Sequence, residues 1–267
     1  MKMRWLLLFC PCFLVGFELQ PWYPTVGEFN LRSAYSYQYY PSVSQGTPSY
    51  HSHDHRIDFN LGVQFWPNWE VQLETDFLHS KKLNWGTEAA GLQLRYLFLD
   101  DVAGDPISLS VGLQSIYVPT RSLSDVSVPY HGQANFELGA AIGKEIDKTY
   151  NWLFRFWGYL GVGQANRGAP WTRPCLVAEM KFNQKHVLKA FTESYLGFGH
   201  RHRVRVDHFH GYGKIAHRSI DLGLNYTYHF RIWGALSLEG TYRVYAHSFP
   251  KHALAARIQY RLPFSLF

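Results

Sequence analysis

The feature that most constrains this chain is a two-residue alternation of apolar and polar side chains, repeated in run after run from Phe29 to Phe264. In the stretch that begins at Ser219, one parity carries Ile220, Leu222, Leu224, Tyr226, Tyr228 and Phe230. The other carries Ser219, Asp221, Gly223, Asn225, Thr227 and His229. Successive side chains of an extended chain point to opposite sides, so such a run is a strand with one apolar and one polar face.

The same period organises the rest of the sequence. Phe29, Leu31, Tyr35, Tyr37 and Tyr39 oppose Asn30, Arg32, Ser36 and Gln38. Ile57, Phe59, Leu61, Val63 and Phe65 oppose Arg56, Asp58, Asn60 and Gln64, and Pro67-Asn68 then turns the chain into Val71, Leu73, Thr75 and Phe77. Further runs cover residues 87–99, 106–117, 132–144 and 151–163, with weaker ones at 174–182 and 187–198, and a last hairpin follows the turn at Arg231-Ile232-Trp233-Gly234. The count is twelve strands. The connections alternate: those near 41–54, 79–86, 118–131, 164–173 and 199–215 are long, whereas those at 67–69, 100–105, 145–150, 183–185 and 231–233 are short.

Period two by itself does not say which face is inside, because a soluble barrel or sandwich alternates in the same way. Three observations favour polar inside and apolar outside. Twelve strands enclose a lumen wider than side chains fill, since about eight strands pack solid. The polar parity carries full charges in strand after strand, on runs long enough to cross a bilayer at a tilt. Aromatic residues also gather at run ends, as in Trp66 with Trp69, Trp152, Tyr228 with Phe230, and Tyr260 with Phe264, as in the girdles of membrane barrels. The expected fold is all-β: a transmembrane antiparallel up-and-down β-barrel of about twelve strands over residues 28–267.

The last run, Leu254, Ala256, Ile258, Tyr260, Leu262 and Phe264 opposite Arg257, Gln259 and Arg261, stands at the extreme C-terminus. It resembles the assembly signal of bacterial outer-membrane β-barrels of the porin-like transporter class. Phe264 is the aromatic in register, while Phe267 falls off it. The resemblance implies an outer-membrane location, contact with membrane lipid and lipopolysaccharide, recognition of the C-terminal strand by the barrel-assembly machinery, and tight turns in the periplasm with long loops at the cell surface. Residues 1–16 join a basic start, Lys2 and Arg4, to a short apolar core and read as a secretory signal; 17–27 then form an N-terminal periplasmic segment ahead of the barrel. Cleavage after Gly16 removes Cys10 and Cys12 and leaves Cys175 without an internal partner. It also lowers the formal net charge from +6 by the two cations to +4, too weak a bias to argue for nucleic acid.

With the apolar parity toward lipid, the lumen is lined by Arg56, Asp58, Glu74, Arg95, Glu137, Arg155, Asp221, Glu239, Arg243, Arg257 and Arg261, together with Arg32, Glu70, Asp76, Glu179 and Lys181. Both signs are present. The expected function is therefore a passive channel or porin-like transporter for small polar or charged solutes, with no cofactor. The competing reading is that these charges pair across the lumen and close it.

Three other constellations stand in the sequence. The fifth long connection carries Arg201, Arg203, Arg205 and Lys214 and suits a surface adhesin that binds anionic ligands such as lipopolysaccharide phosphates or acidic polysaccharide. Histidines cluster at His51, His53 and His55 and at His200, His202, His208 and His210, but no acidic or cysteine partner stands at diagnostic spacing, and no metal site is expected. His217 and Ser219 resemble the His-x-Ser pair of outer-membrane phospholipases and lipid A deacylases, which implies a lipid hydrolase as an alternative. They share the parity of Asp221, however, and no third polar residue is evident to orient the histidine.

Overall fold

The computed structural model describes residues 17–46, 50–149 and 152–265. The expected signal at 1–16, with Cys10 and Cys12, and the terminal Phe267 lie outside the described residues. Twelve strands close into one antiparallel barrel: β1 (Glu28–Tyr40), β3 (Ser52–Trp66), β4 (Trp69–His79), β5 (Gly86–Leu99), β6 (Ser108–Tyr117), β7 (Ala134–Thr149), β8 (Trp152–Ala165), β9 (Trp171–Phe182), β10 (His186–Gly197), β11 (Arg218–His229), β12 (Ala235–His247) and β14 (Leu254–Ser265). Two short strands, β2 (Ser42–Val43) and β13 (Pro250–Lys251), pair into a separate ribbon above the loop end. Consecutive barrel strands are neighbours, and β1 closes on β14 with Glu28 opposite Ser265 and Tyr39 opposite Leu254. No helix among the described residues is long and apolar enough to cross a membrane.

The turns carry the left-handed backbone that tight hairpins require. Asn68 (φ 69°) turns β3 into β4, and Asn183 and Gln184 (φ 52° and 56°) stand in the three-residue turn between β9 and β10. Asparagine tolerates this region better than most side chains do, which makes the first of these turns legible in the sequence.

Side-chain polarity is inverted relative to a soluble barrel. Leu31, Leu73, Leu113, Leu138, Leu160, Leu176 and Leu224 face outward and are exposed, while Arg32, Asp58, Gln72, Gln93, Glu137, Asn225 and Arg243 are buried inside. A wall that hides charge and displays leucine is stable only where the surroundings are apolar. Aromatic side chains mark both rims of the apolar band. At the turn end Phe29 stacks on Phe264 (5.3 Å), Trp69 meets Tyr96 (4.9 Å) and Trp152 meets Phe182 (5.9 Å). At the loop end Tyr35 and Tyr37 bond His55 and His53 through their hydroxyls at 2.7 and 2.5 Å. His53 and His55 are thus members of an aromatic rim on the outer wall.

Both mouths of the barrel are occupied. At the turn end, residues 17–23 do not precede the barrel as a free periplasmic segment; they run back into the lumen. Phe17 packs at the level of Gly91 and Ile116, and Trp22 lies edge-on to Trp157 at 5.7 Å and donates its indole N–H to Asp101 Oδ1 at 2.8 Å. The sequence-based placement outside failed because 17–27 has no period of its own. Leu19 and Trp22 find partners on the inner wall of β7, β8 and β9, where Ala141, Trp157, Tyr159, Cys175 and Val177 face inward, while Phe17 packs with Leu78, Ala89 and Ile116 of β4, β5 and β6. This also explains the weak alternation of residues 174–198: the inward parity there is partly apolar because it supports the inserted segment.

At the loop end, residues 118–133 and 199–217 fold over the mouth. Val204, Val206, Phe209, Tyr212 and Ile215 from the second of these segments form a core with Tyr40, Val43, Val126, Phe249 and Ala253. Hydrogen bonds lock it: Tyr212 N–H to Tyr130 O (2.9 Å), Tyr212 O–H to Val126 O (2.7 Å), Lys82 Nζ to Val206 O (2.9 Å) and Ala169 N–H to Gly213 O (2.6 Å).

Candidate functional site: the lumen and its two closures

The lumen is built from the polar parity, and its charges pair along the wall more than across it. Arg56 on β3 pairs with Glu88 on β5, and Asp58 accepts a hydrogen bond from Arg257 at 2.7 Å on the same side of the barrel. On the far side Arg173 pairs with Glu137 at 2.7 Å and lies 3.7 Å from Glu193, and Arg243 forks onto both oxygens of Asp221 at 2.7 and 2.8 Å. Between the two walls remains a chamber of about 70 Å³, lined by these pairs, by Asp76 and Gln114, and toward the loop end by Tyr130, Trp171, Tyr195 and Phe249.

All sixteen charges expected to line the lumen point inward, but they divide by level. Arg56, Asp58, Glu137, Asp221, Arg243 and Arg257 line the central chamber, and Glu74 is buried nearby. Arg155, Glu239 and Arg261 line a wider vestibule of about 280 Å³ at the turn end, with Arg257 reaching both spaces. Arg95 is taken up by structure: its Nε lies 2.7 Å from Glu70, its Nη1 donates to Gln20 O at 2.6 Å, and its guanidinium covers the Tyr23 ring at 4.6 Å. The closure seam puts Arg32 directly opposite Arg261. Glu18 of the inserted segment sits between them, 3.4 Å from the first and 3.5 Å from the second. A carboxylate shared by two guanidiniums is what makes that register tolerable.

Several inward charges escaped the sequence reading, among them Glu88, Arg173, Lys189 and Glu193. Glu88 faces the lumen because the β4–β5 ladder steps from Asp76–Ala89 to Phe77–Thr87, leaving Glu88 as the extra residue of a bulge. Arg173 and Glu193 belong to the two strands with weak alternation, and Arg173 lay in what reads as a loop.

The vestibule carries Arg32, Arg155, Arg173, Lys181, Lys189, Arg257 and Arg261 against Glu179, Glu193 and Glu239. It is cationic, whereas the chamber has six carboxylates, Asp58, Asp76, Glu88, Glu137, Glu193 and Asp221, against four arginines. A solute entering from the turn end meets a positive field before an acidic constriction.

His217 and Ser219 do not assemble a catalytic pair. Both are buried on the lumen side, at 0% and 2% exposure. His217 donates Nδ1–H to Ile215 O at 3.1 Å, and its Nε2 has no hydrogen-bond partner, so no bond joins it to Ser219. The ring instead belongs to an aromatic septum between chamber and cap, 5.0 Å from His131, 5.4 Å from Phe249 and 4.7 Å from Tyr212. Burial pushes the imidazoles down to about 4 for His131 and about 3 for His217, so both are neutral near pH 7.

Arg201, Arg203, Arg205 and Lys214 are exposed on the outer surface of the cap. Val204 and Val206 alternate with them and point down into the cap core, which is why the arginines point out.

No family model matches the chain, and no curated protein matches it by sequence. Among solved structures, it resembles the COG4313 outer membrane channel from Pseudomonas putida F1, with a TM-score of 0.67 at 12% identity over 94% of this chain and 100% of that one. It also resembles the NanC porin, with a TM-score of 0.52 at 13% identity over 90% of this chain and 100% of that one. At such identities the likeness is one of fold. Fold, inverted polarity and paired aromatic rims make this protein an outer-membrane β-barrel.

Proposed function

We propose that the barrel is a porin-like passive channel for small polar or charged solutes, closed at both ends in the described state. The observation that carries this reading is a charged chamber that persists at mid-height because its ion pairs run along the wall. A purely structural barrel would have no reason to keep buried charge away from its partner across the lumen, since desolvated ions are costly unless closely paired. The two barrels of similar fold, described as an outer membrane channel and a porin, support the same reading.

In this picture the protein is exported by removal of a signal within residues 1–16 and is assembled through β14. It then sits with its turns in the periplasm and its cap against the lipopolysaccharide layer. The cationic vestibule raises the local concentration of anions at the periplasmic mouth, and the acidic chamber admits them only as neutralised or small species. The inserted segment and the cap are the gates.

Planar-bilayer recording tests this. The full-length protein is expected to show rare, small openings, and deletion of residues 17–23 to give a stable conductance. Baseline current from both proteins, each folded by its heat-sensitive electrophoretic shift, would show that the lumen does not conduct.

A further inference from the structure

The outer face of the cap holds a cavity of about 840 Å³, larger than either space inside the barrel. It is formed by three long connections, 118–133, 164–170 and 199–215, and it is cationic throughout. Arg167, Arg201, Arg203, Arg205 and Lys214 line it, and no carboxylate does. Among the described residues none of these five side chains has an ion-pair partner. Clustering five like charges around a concavity raises the free energy of the empty site and favours a ligand that brings negative charge.

Two further observations narrow the ligand. His131 lines the cavity, is 3% exposed, and has a buried Nε2 without a hydrogen-bond partner. Its Nδ1–H is committed to Ala169 O at 2.9 Å, and burial keeps the ring neutral. The free nitrogen is therefore a lone pair that needs an O–H or N–H donor, which a bare phosphate or sulfate dianion does not offer. The remaining lining includes the apolar Leu123, Phe209 and Ile215 and four glycines, Gly132, Gly168, Gly211 and Gly213. Cations for acid groups and an acceptor for a hydroxyl form one complementary set.

We propose that this cavity is a binding site for an acidic oligosaccharide at the cell surface, with Arg203, Arg205 and Lys214 engaging its carboxylates and His131 accepting from one of its hydroxyls. The volume lies within the range of small-ligand pockets, about 300–1,000 Å³, and suits a short oligomer of two or three sugars. The site lies outside the lumen and does not depend on whether the barrel conducts. Such sugars come from free glycan or from the acidic inner core of lipopolysaccharide, and the chemistry of recognition is common to both.

Calorimetric titration of the full-length protein in detergent with trigalacturonate tests the assignment, with maltotriose and inorganic triphosphate as comparisons. Trigalacturonate is expected to bind, to weaken steeply between 50 and 300 mM salt, and to lose at least tenfold in affinity in Arg203→Ser/Arg205→Ser/Lys214→Ser. The triple variant keeps the cap core and should retain the heat-sensitive shift. A second variant, His131→Phe, is expected to lose several-fold for trigalacturonate and nothing for triphosphate. Competition by purified lipooligosaccharide would assign the membrane's own sugars as the source, and its absence would assign free glycan. Tighter binding of triphosphate than of trigalacturonate, or equal trigalacturonate affinity in the folded triple variant, would overturn the proposal.

Discussion

Single residues decide how the two mouths are held. Glu18 is the one carboxylate placed between Arg32 and Arg261, and without it the seam of the barrel would set two guanidiniums face to face. Glu18→Gln is therefore expected to loosen the inserted segment by about 1–2 kcal/mol, discounted from a fully buried pair because the vestibule admits water. Single-channel recording should show open probability rising roughly tenfold. Unchanged gating would mean that the segment is anchored by its other contacts, those of Phe17, Gln20, Trp22 and Tyr23.

His131 and His217 act at the same scale with the opposite chemistry. Both are neutral in the folded cap, with protonation pushed down to about 4 and about 3, while an unfolded histidine titrates near 6.5. Below about 6.5 the opened state binds more protons than the closed one, so the cap is fully stable above that pH and loses stability progressively as pH falls toward 4. Hydrogen exchange of Tyr212 N–H, which bonds Tyr130 O, should accelerate over that interval. In the His131→Phe/His217→Phe double variant the acceleration should be flattened.

At the level of elements, the cap is a packed assembly rather than a free loop. Residues 199–217 bring five apolar side chains into a core shared with β1, β2, the residues flanking β13 and the 118–133 connection, so its release is cooperative. Val204→Asp/Val206→Asp is expected to break that core without touching the barrel wall. The measurable result is a larger limiting conductance and faster proteolysis at the loop end, with the heat-sensitive shift preserved. The opposite mouth obeys a different logic. β8, β9 and β10 form an apolar inner patch around Trp157 and Tyr159, and the inserted segment covers it as a ligand would.

For the whole molecule, inverted polarity is the defining property, and it has a direct test. Leu138 lies at mid-strand on the outer wall between Leu113 and Val162, and all three are exposed. Leu138→Arg is expected to cost about 2–4 kcal/mol for folding into phospholipid vesicles, the depth-dependent cost of a cation on the lipid face. A water-soluble barrel with these leucines on its surface would tolerate the change. Vesicle-folding titrations that show no loss would place the wall outside a bilayer.

The sequence by itself determined the strands, their number, their order and which parity is polar, because a period of two is a local property that any window of the chain displays. It also marked sixteen inward charges, since parity propagates along a regular strand. Only the tertiary structure decided the rest. The bulge that turns Glu88 inward depends on ladder register with β4, and the burial of Leu19 and Trp22 depends on an apolar patch contributed by strands more than a hundred residues away. The same holds for the cavity over the cap: Arg167 and His131 join Arg203 and Arg205 there because three connections distant in the chain close over one mouth. Contacts of that kind have no period, and the chain discloses them only once the barrel has brought its ends together.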